Sequence, residues 1–238
     1  MNDLGALGGK SLVKTAIDAV KAHIRDHNLH VGDPLPSEGF FAKELGVSRA
    51  VMREAFGALG ALKLIDVANG RRARVGALDG SVIADSLDHA ISTAQIDVKD
   101  VWVVRRTIEV ETAALAARHA SADQAARIVE LAERLAHDGD HAHVTEDDIA
   151  FHLAIAEASG NALFRQIVMS FVPLMRVAVP KAWQTRRTEE ERADILDRHR
   201  ALARAIADRD PDSARRWMRS HFDESIGALL EVPDRPAT

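Results

Sequence analysis

The chain has 238 residues, 47% of them hydrophobic, with no uncharged apolar run long enough to span a membrane and charges spread through its first segment where a secretory leader would be apolar. It has no cysteine, which excludes a disulfide framework and thiolate metal sites. The net charge of −5 hides a division: residues 1–76 carry 11 Lys+Arg against 8 Asp+Glu, and the remainder 20 against 28, so a basic head precedes an acidic body, as suits a protein that meets phosphates at one end.

Residues 35–75 read as two short helices at a tight turn, followed by a small β-wing. Ser37, after Pro36, is an N-cap candidate; Phe40, Phe41 and Leu45 make an apolar stripe, and Gly46 ends the first helix. Gly46-Val47-Ser48 is the turn. In the helix that Ser48 opens, Arg49 and Arg53 fall one turn apart on one face, while Val51, Ala55, Leu59 and Leu62 are expected on the buried face. Such a helix fits a DNA major groove, with Arg71 and Arg72 of the wing available to the backbone or minor groove. The plainer reading of the arginine pair by itself is a surface helix with two solvated side chains.

Beyond a short linker at 76–80 the pattern is helical to the end. A connecting helix is expected from Ser81 to about Ile91, then helices near 97–119, 121–137, 145–158, 161–182, 188–208 and 211–231. Their starts are marked by Asp97, by capping boxes at Ser121/Gln124 and Thr188/Glu191, by Thr145, and by Asp210-Pro211. Pro173 is expected to kink the fourth, and the alanines after Glu109 predict close packing of the first. The fold class is mostly α: a winged helix-turn-helix over 1–76, a linker and connecting helix over 77–96, and an all-α bundle of six or seven helices over 97–238.

Asp148 and His152 are spaced i, i+4 on one helix; His199 lies on the next helix but one and His221 on the last. A carboxylate and three imidazoles can hold one cation and leave positions open. Spacing alone leaves this as one reading among several for a chain with 11 histidines. His137, His141 and His143, around Gly139, read as a solvated loop or an adventitious metal site.

The string Leu35-Pro36-Ser37-Glu38, Gly46-Val47-Ser48-Arg49 and Val51-Met52-Arg53-Glu54-Ala55 resembles the winged helix-turn-helix of GntR-family bacterial transcription regulators, over residues 10–76 and with the first helix expected to end near Gly32-Asp33. Two positions depart from the family: Gly39 stands where an arginine that touches DNA is usual, and Lys63 where a glycine commonly ends the recognition helix. From Asp97 to Leu230 the chain resembles the FCD ligand-binding domain of the FadR-like subgroup. That resemblance implies one divalent metal per chain, zinc first with nickel or manganese also suited, held by Asp148, His152, His199 and His221. It further implies an effector carboxylate at Arg105, four residues before Glu109, with Asn161 as a second contact or a helix cap; Trp183 and Arg176 are weaker candidates.

The function so implied is a cytoplasmic, homodimeric regulator, a repressor of a palindromic double-stranded operator released by a small organic acid. Similarity of residues 171–183 to regulators of sugar-acid catabolism leans the effector toward sugar acids. The rival reading is a metal-dependent hydrolase using the same Asp/His3 set; against it stand the lack of an H-E-x-x-H motif and the presence of a DNA-binding head.

Overall fold

The computed structural model describes residues 4–68, 70–137, 143–186 and 188–230. The chain divides into two compact units, Met1–Val82 and Ile83–Thr238. The first holds α1 (Leu4–Asp26), α2 (Glu38–Leu45), α3 (Arg49–Ala61) and a two-stranded antiparallel wing, β1 (Ile65–Asp66) with β2 (Arg74–Val75), in which Ile65 faces Val75. Ser37 Oγ accepts from the Phe40 N–H at 3.2 Å and Ser48 Oγ from the Val51 N–H at 3.3 Å, so both serines cap their helices, while Gly46 takes the left-handed φ of +64° that stops α2. Ala16, Val20, Leu35, Phe41, Met52, Phe56, Leu59 and Ile65 form the core of this unit.

The buried face of α3 differs from the expected stripe. Met52, Ala55, Phe56 and Leu59 are buried, Val51 is half-buried, and Leu62 is exposed because the helix ends at Ala61 and Leu62 is already its C-cap. The first helix also stops earlier than expected. It ends at Asp26, where Asn28 turns left-handed (φ 51°) and the Leu29 N–H reaches back to the Ile24 carbonyl.

That ending recurs. At α3, Lys63 is left-handed (φ 56°), its N–H donates to Gly60 and the Leu64 N–H to Leu59; Ala94 and Arg209 close two further helices with the same pair of backbone bonds. The motif satisfies carbonyls that the last turn would leave bare, but it is usually built on glycine because a Cβ is strained there. Gly46 ends α2 in the same way, and of the four non-glycine residues in that position three lack even asparagine's tolerance for it.

The second unit begins within α4 (Ser81–Ser92) and continues through α5 (Val98–His119), α6 (Ala122–His137), α7 (Val144–Ala158), α8 (Ala162–Ser170), α9 (Val172–Thr185), α10 (Glu189–Ala207) and α11 (Pro211–Leu230). Helix α5 packs on α11 and α7 through Ala113, Ala116, Ala117 and Ala120, small side chains that bring backbones close, and α6 packs on α10 and α7. The capping boxes at Asp97/Asp100, Ser121/Gln124 and Thr188/Glu191 form, and Asp210 receives the Asp212 and Ser213 N–H groups ahead of Pro211. Thr145 does not cap α7, which starts one residue earlier at Val144 without a side-chain cap.

The helix expected over 161–182 is two helices meeting at 57°, with the break at Phe171. Pro173 sits in the first turn of α9, where a missing N–H costs nothing, so it starts a helix instead of kinking one; Pro180 is the proline inside the helix. Among the described residues no single helix is long and apolar enough to cross a membrane.

Lys63→Gly should relieve the strain at the end of α3 and raise the stability of the first unit by about 0.5–1 kcal/mol, the left-handed penalty less the added chain entropy of glycine. Urea unfolding of the full chain, followed through that unit, checks it. Gly76→Ala should do the reverse, because its Cβ would come within 2.2 Å of the Lys63 carbonyl oxygen.

A buried candidate metal centre and an exposed DNA face

Four helices of the second unit each deliver part of one site. Helix α5 supplies Arg105 and Glu109, α7 supplies Asp148 and His152, α10 supplies His199 and α11 supplies His221. All six side chains are buried, Arg105 and Glu109 to 1% exposure. Asp148, His152, His199 and His221 each offer a ligand atom within 4.8 Å of the others. The rings of His199 and His221 are 4.6 Å apart and those of His152 and His221 5.0 Å.

The outward nitrogens set the inward ones. Glu109 accepts from Arg105 Nε on one carboxylate oxygen and meets His152 Nδ1 on the other, and His199 Nδ1 donates to the Ile195 carbonyl at 2.8 Å. With Nδ1 of both rings carrying the proton, Nε2 is the free lone pair. His152 Nε2 is buried without a hydrogen-bond partner, 3.9 Å from Asp148, and His199 Nε2 lies 3.2 Å from the same carboxylate. Without a cation, His199 would need a proton on both nitrogens to satisfy Ile195 and Asp148 together. A divalent cation among the four removes that demand, so the residues fit one.

Electrostatics agree. Burial, with His199 and His152 beside it, pushes the His221 imidazole well below its ordinary range, which keeps it neutral and able to ligate. Burial alone would raise Asp148; the imidazoles of His152, His199 and His221 outweigh it and hold the carboxyl below the usual range. Glu109 is likewise held low, by Arg105 and His152 against its own burial.

A cavity of about 40 Å³ adjoins the cluster. Arg105 and Trp183 line it, as does Asp148 with His199 and His221. Asn161 and Arg176 are elsewhere: Asn161 Oδ1 accepts from the Leu163 and Phe164 N–H groups as the cap of α8, and Arg176 is exposed in an ion pair with Glu146. His141 lies outside the described residues, as does the side chain of His137, and His143 is exposed at the start of α7. Sequence reasoning missed three participants. Trp102 and Arg186 line the cavity, and Glu109 joins Arg105 to a metal-ligand candidate. The spacing of Trp102, Arg105 and Glu109 at i, i+3 and i+7 was a signal that all three share one face.

In the first unit Arg49 and Arg53 are exposed on α3, and Arg71 and Arg72 are exposed in the wing loop. Arg53 lies 3.9 Å from Glu38. A Cβ on Gly39 would be 3.8 Å from the Arg49 guanidinium, so Arg49 lies over the position that lacks a side chain of its own.

Residues 12–75 match the family described as bacterial regulatory proteins, gntR family, and residues 100–224 match the FCD domain. The chain is 28% identical over 221 residues to the HTH-type transcriptional repressor NanR of Salmonella newport (strain SL254), covering 91% of this chain and 85% of that one. The NanR of Salmonella typhimurium is equally similar, at 28% identity and 84% of its length. A solved structure, Streptococcus agalactiae GntR, shares the fold with a TM-score of 0.60 at 24% identity, over 89% of this chain and 97% of the other. With both halves matched and its relatives regulators, the hydrolase alternative falls: the chain belongs to the gntR family of bacterial regulatory proteins, in the FadR-like subgroup that carries an FCD domain, and is a DNA-binding transcription regulator and not an enzyme.

Proposed function

We propose that the chain is a cytoplasmic, homodimeric repressor that leaves a palindromic operator when a small carboxylate binds between a divalent cation and Arg105. The observation that carries this reading is the convergence of Asp148, His152, His199 and His221 beside a cavity that Arg105 also lines. The four residues would hold the cation, zinc first with nickel or manganese suited by the same nitrogen-rich set. When bound, the metal supplies a Lewis-acidic partner for a carboxylate oxygen, and Arg105 offers a planar guanidinium to the other. The cavity is where a small organic acid, a sugar acid among the candidates, would enter. The word repressor in the relatives' name supports the sign of regulation.

Two copies would present two recognition helices to two half-sites, with Ser37, Ser48, Arg49 and Arg53 at the groove and Arg71 and Arg72 on the flanking backbone. Val103 and Val104, exposed apolar side chains on α5, are the kind of surface a second copy covers. Sedimentation at micromolar concentration should give a dimer, and a monomer would move the contact onto the DNA.

Arg53→Ala should weaken operator binding by about 1–3 kcal/mol and relax preference at one base position. Substituting Arg71 or Arg72 should weaken binding to all sequences and flatten its salt dependence. A mobility-shift titration with the DNA flanking the chain's own gene measures both. Intact binding by an Arg49/Arg53 double variant would refute the assignment of α3.

Metal analysis after zinc reconstitution should find one equivalent in the wild type and a loss in the His199→Ala, His221→Ala double variant, with a lower melting temperature after chelation. Glu109→Gln should weaken zinc binding roughly 10–100-fold in a competition titration, since an amide accepts on one atom only and cannot serve Arg105 and His152 together. Arg105→Lys keeps a cation beside Glu109 but loses the fork, so zinc content should hold while acid binding falls. Wild-type protein without metal would sink the coupled mechanism.

A further inference from the structure

The wing carries Arg71, Arg72 and Arg74 close together in the chain, all three exposed. Their side chains nevertheless differ in what they do. Among the described residues Arg71 and Arg72 make no side-chain hydrogen bond or ion pair, whereas Arg74 Nη1 donates to the carbonyl of Gly32 at 2.6 Å, from 42 residues further along the chain. Asp66 faces Arg74 across the β1–β2 ladder, yet among the described residues the guanidinium makes no ion pair with it and turns to the carbonyl instead.

Gly32 is where that bond matters. The segment 32–35, between α1 and α2, lies along the edge of β2 that β1 leaves open. The Gly32 N–H donates to the Val75 carbonyl at 2.9 Å, the Val75 N–H to Asp33 at 2.9 Å and the Leu35 N–H to Ala73 at 2.8 Å, with Pro34 opposite Arg74. Gly32 is left-handed, φ 88°, and among the described residues its carbonyl receives no backbone N–H. The Arg74 guanidinium is the donor it meets, so the side chain ties the wing to the stretch that enters α2 through the Ser37 cap. The β1–β2 ladder is two residues long on each strand, and a two-stranded ribbon is marginal by itself.

We propose that Arg74 is a positioning residue of the wing: it touches no DNA and holds the loop that presents Arg71 and Arg72. This rests on the reading given above, in which those two arginines reach the DNA backbone or minor groove. A loop that is already ordered loses less conformational freedom on binding, so its arginines bind more tightly than the same charges on a loose loop. Arg74 acts on affinity only through them.

The test is whether the effect of Arg74 depends on its neighbours. In anisotropy titrations of the full-length protein with a duplex of the DNA flanking its own gene, Arg74→Ala should weaken binding about three- to tenfold. In a variant already carrying Arg71→Ala and Arg72→Ala, the same substitution should change affinity by less than about twofold, since nothing remains to be positioned. An equal loss in both backgrounds is what a direct DNA contact, or damage to the whole unit, produces, and it overturns the proposal; so does no loss in either. If the Arg71/Arg72 double variant binds as tightly as wild type, the wing reading falls and this one with it. Limited trypsin digestion without DNA tests the tie by itself. Cleavage after Arg71 and Arg72, located by mass spectrometry, should be several-fold faster in Arg74→Ala, while cleavage after Arg49 and Arg53 keeps its wild-type rate. Unchanged cleavage in the wing, or faster cleavage at all four arginines, overturns the proposal.

Discussion

One carboxylate, that of Glu109, ties the second unit together. It accepts from the Arg105 guanidinium on one oxygen and meets the His152 imidazole on the other, with all three groups buried. Each of these groups would be expensive to bury alone, and removing any one leaves the others unpaired, which is why such networks fail as units. The bond pattern also fixes geometry across two helices. It sets the tautomer of His152 and aims Nε2 toward Asp148. The metal-ligand candidate His152 and the proposed effector contact Arg105 therefore share a partner.

Two guanidiniums, Arg105 and Arg186, and one carboxylate, Asp148, line the cavity, and burial keeps His221 neutral. The candidate metal ligands and Arg105 sit on α5, α7, α10 and α11, so a ligand held among them in the proposed way would act on the packing of those four helices. Regulation needs no more than a difference in affinity between two arrangements of those helices, typically about 1–3 kcal/mol.

Local chemistry in this chain was legible wherever it repeats at helical spacing. The serine caps at 37 and 48, the boxes at Ser121 and Thr188, and the Asp148/His152 and Arg105/Glu109 pairs all follow from offsets of three or four residues. What the sequence could not carry is which helices meet. That His199 and His221 join Asp148 depended on family resemblance, and the second bond of Glu109 depends on how α5 packs on α7. Propensity misled at α8 and α9, where Pro173 reads as a kink but serves as a helix start two residues past the break. The left-handed Lys63, Ala94 and Arg209 were illegible for a related reason: the backbone bonds of the closing motif override a residue preference that points elsewhere.

The two functional faces follow opposite physical rules. The cavity is buried, its bonds mutually dependent, and its free donors are few. The DNA face is exposed and loosely held: the Arg53–Glu38 pair, 3.9 Å apart with Arg53 78% exposed, falls in the class of surface ion pairs worth well under about 1 kcal/mol, so Arg53 can exchange that partner for a phosphate or a base at little cost. Arg49 gains from the bare Gly39. Its guanidinium lies where a larger residue at 39 would stand, which puts one cation in space that the family usually divides between two. A recognition surface with one fewer arginine has a smaller electrostatic share of its affinity, because each phosphate neutralised releases counterions. Discrimination would then fall more heavily on the base contacts proposed for Arg49 and Arg53.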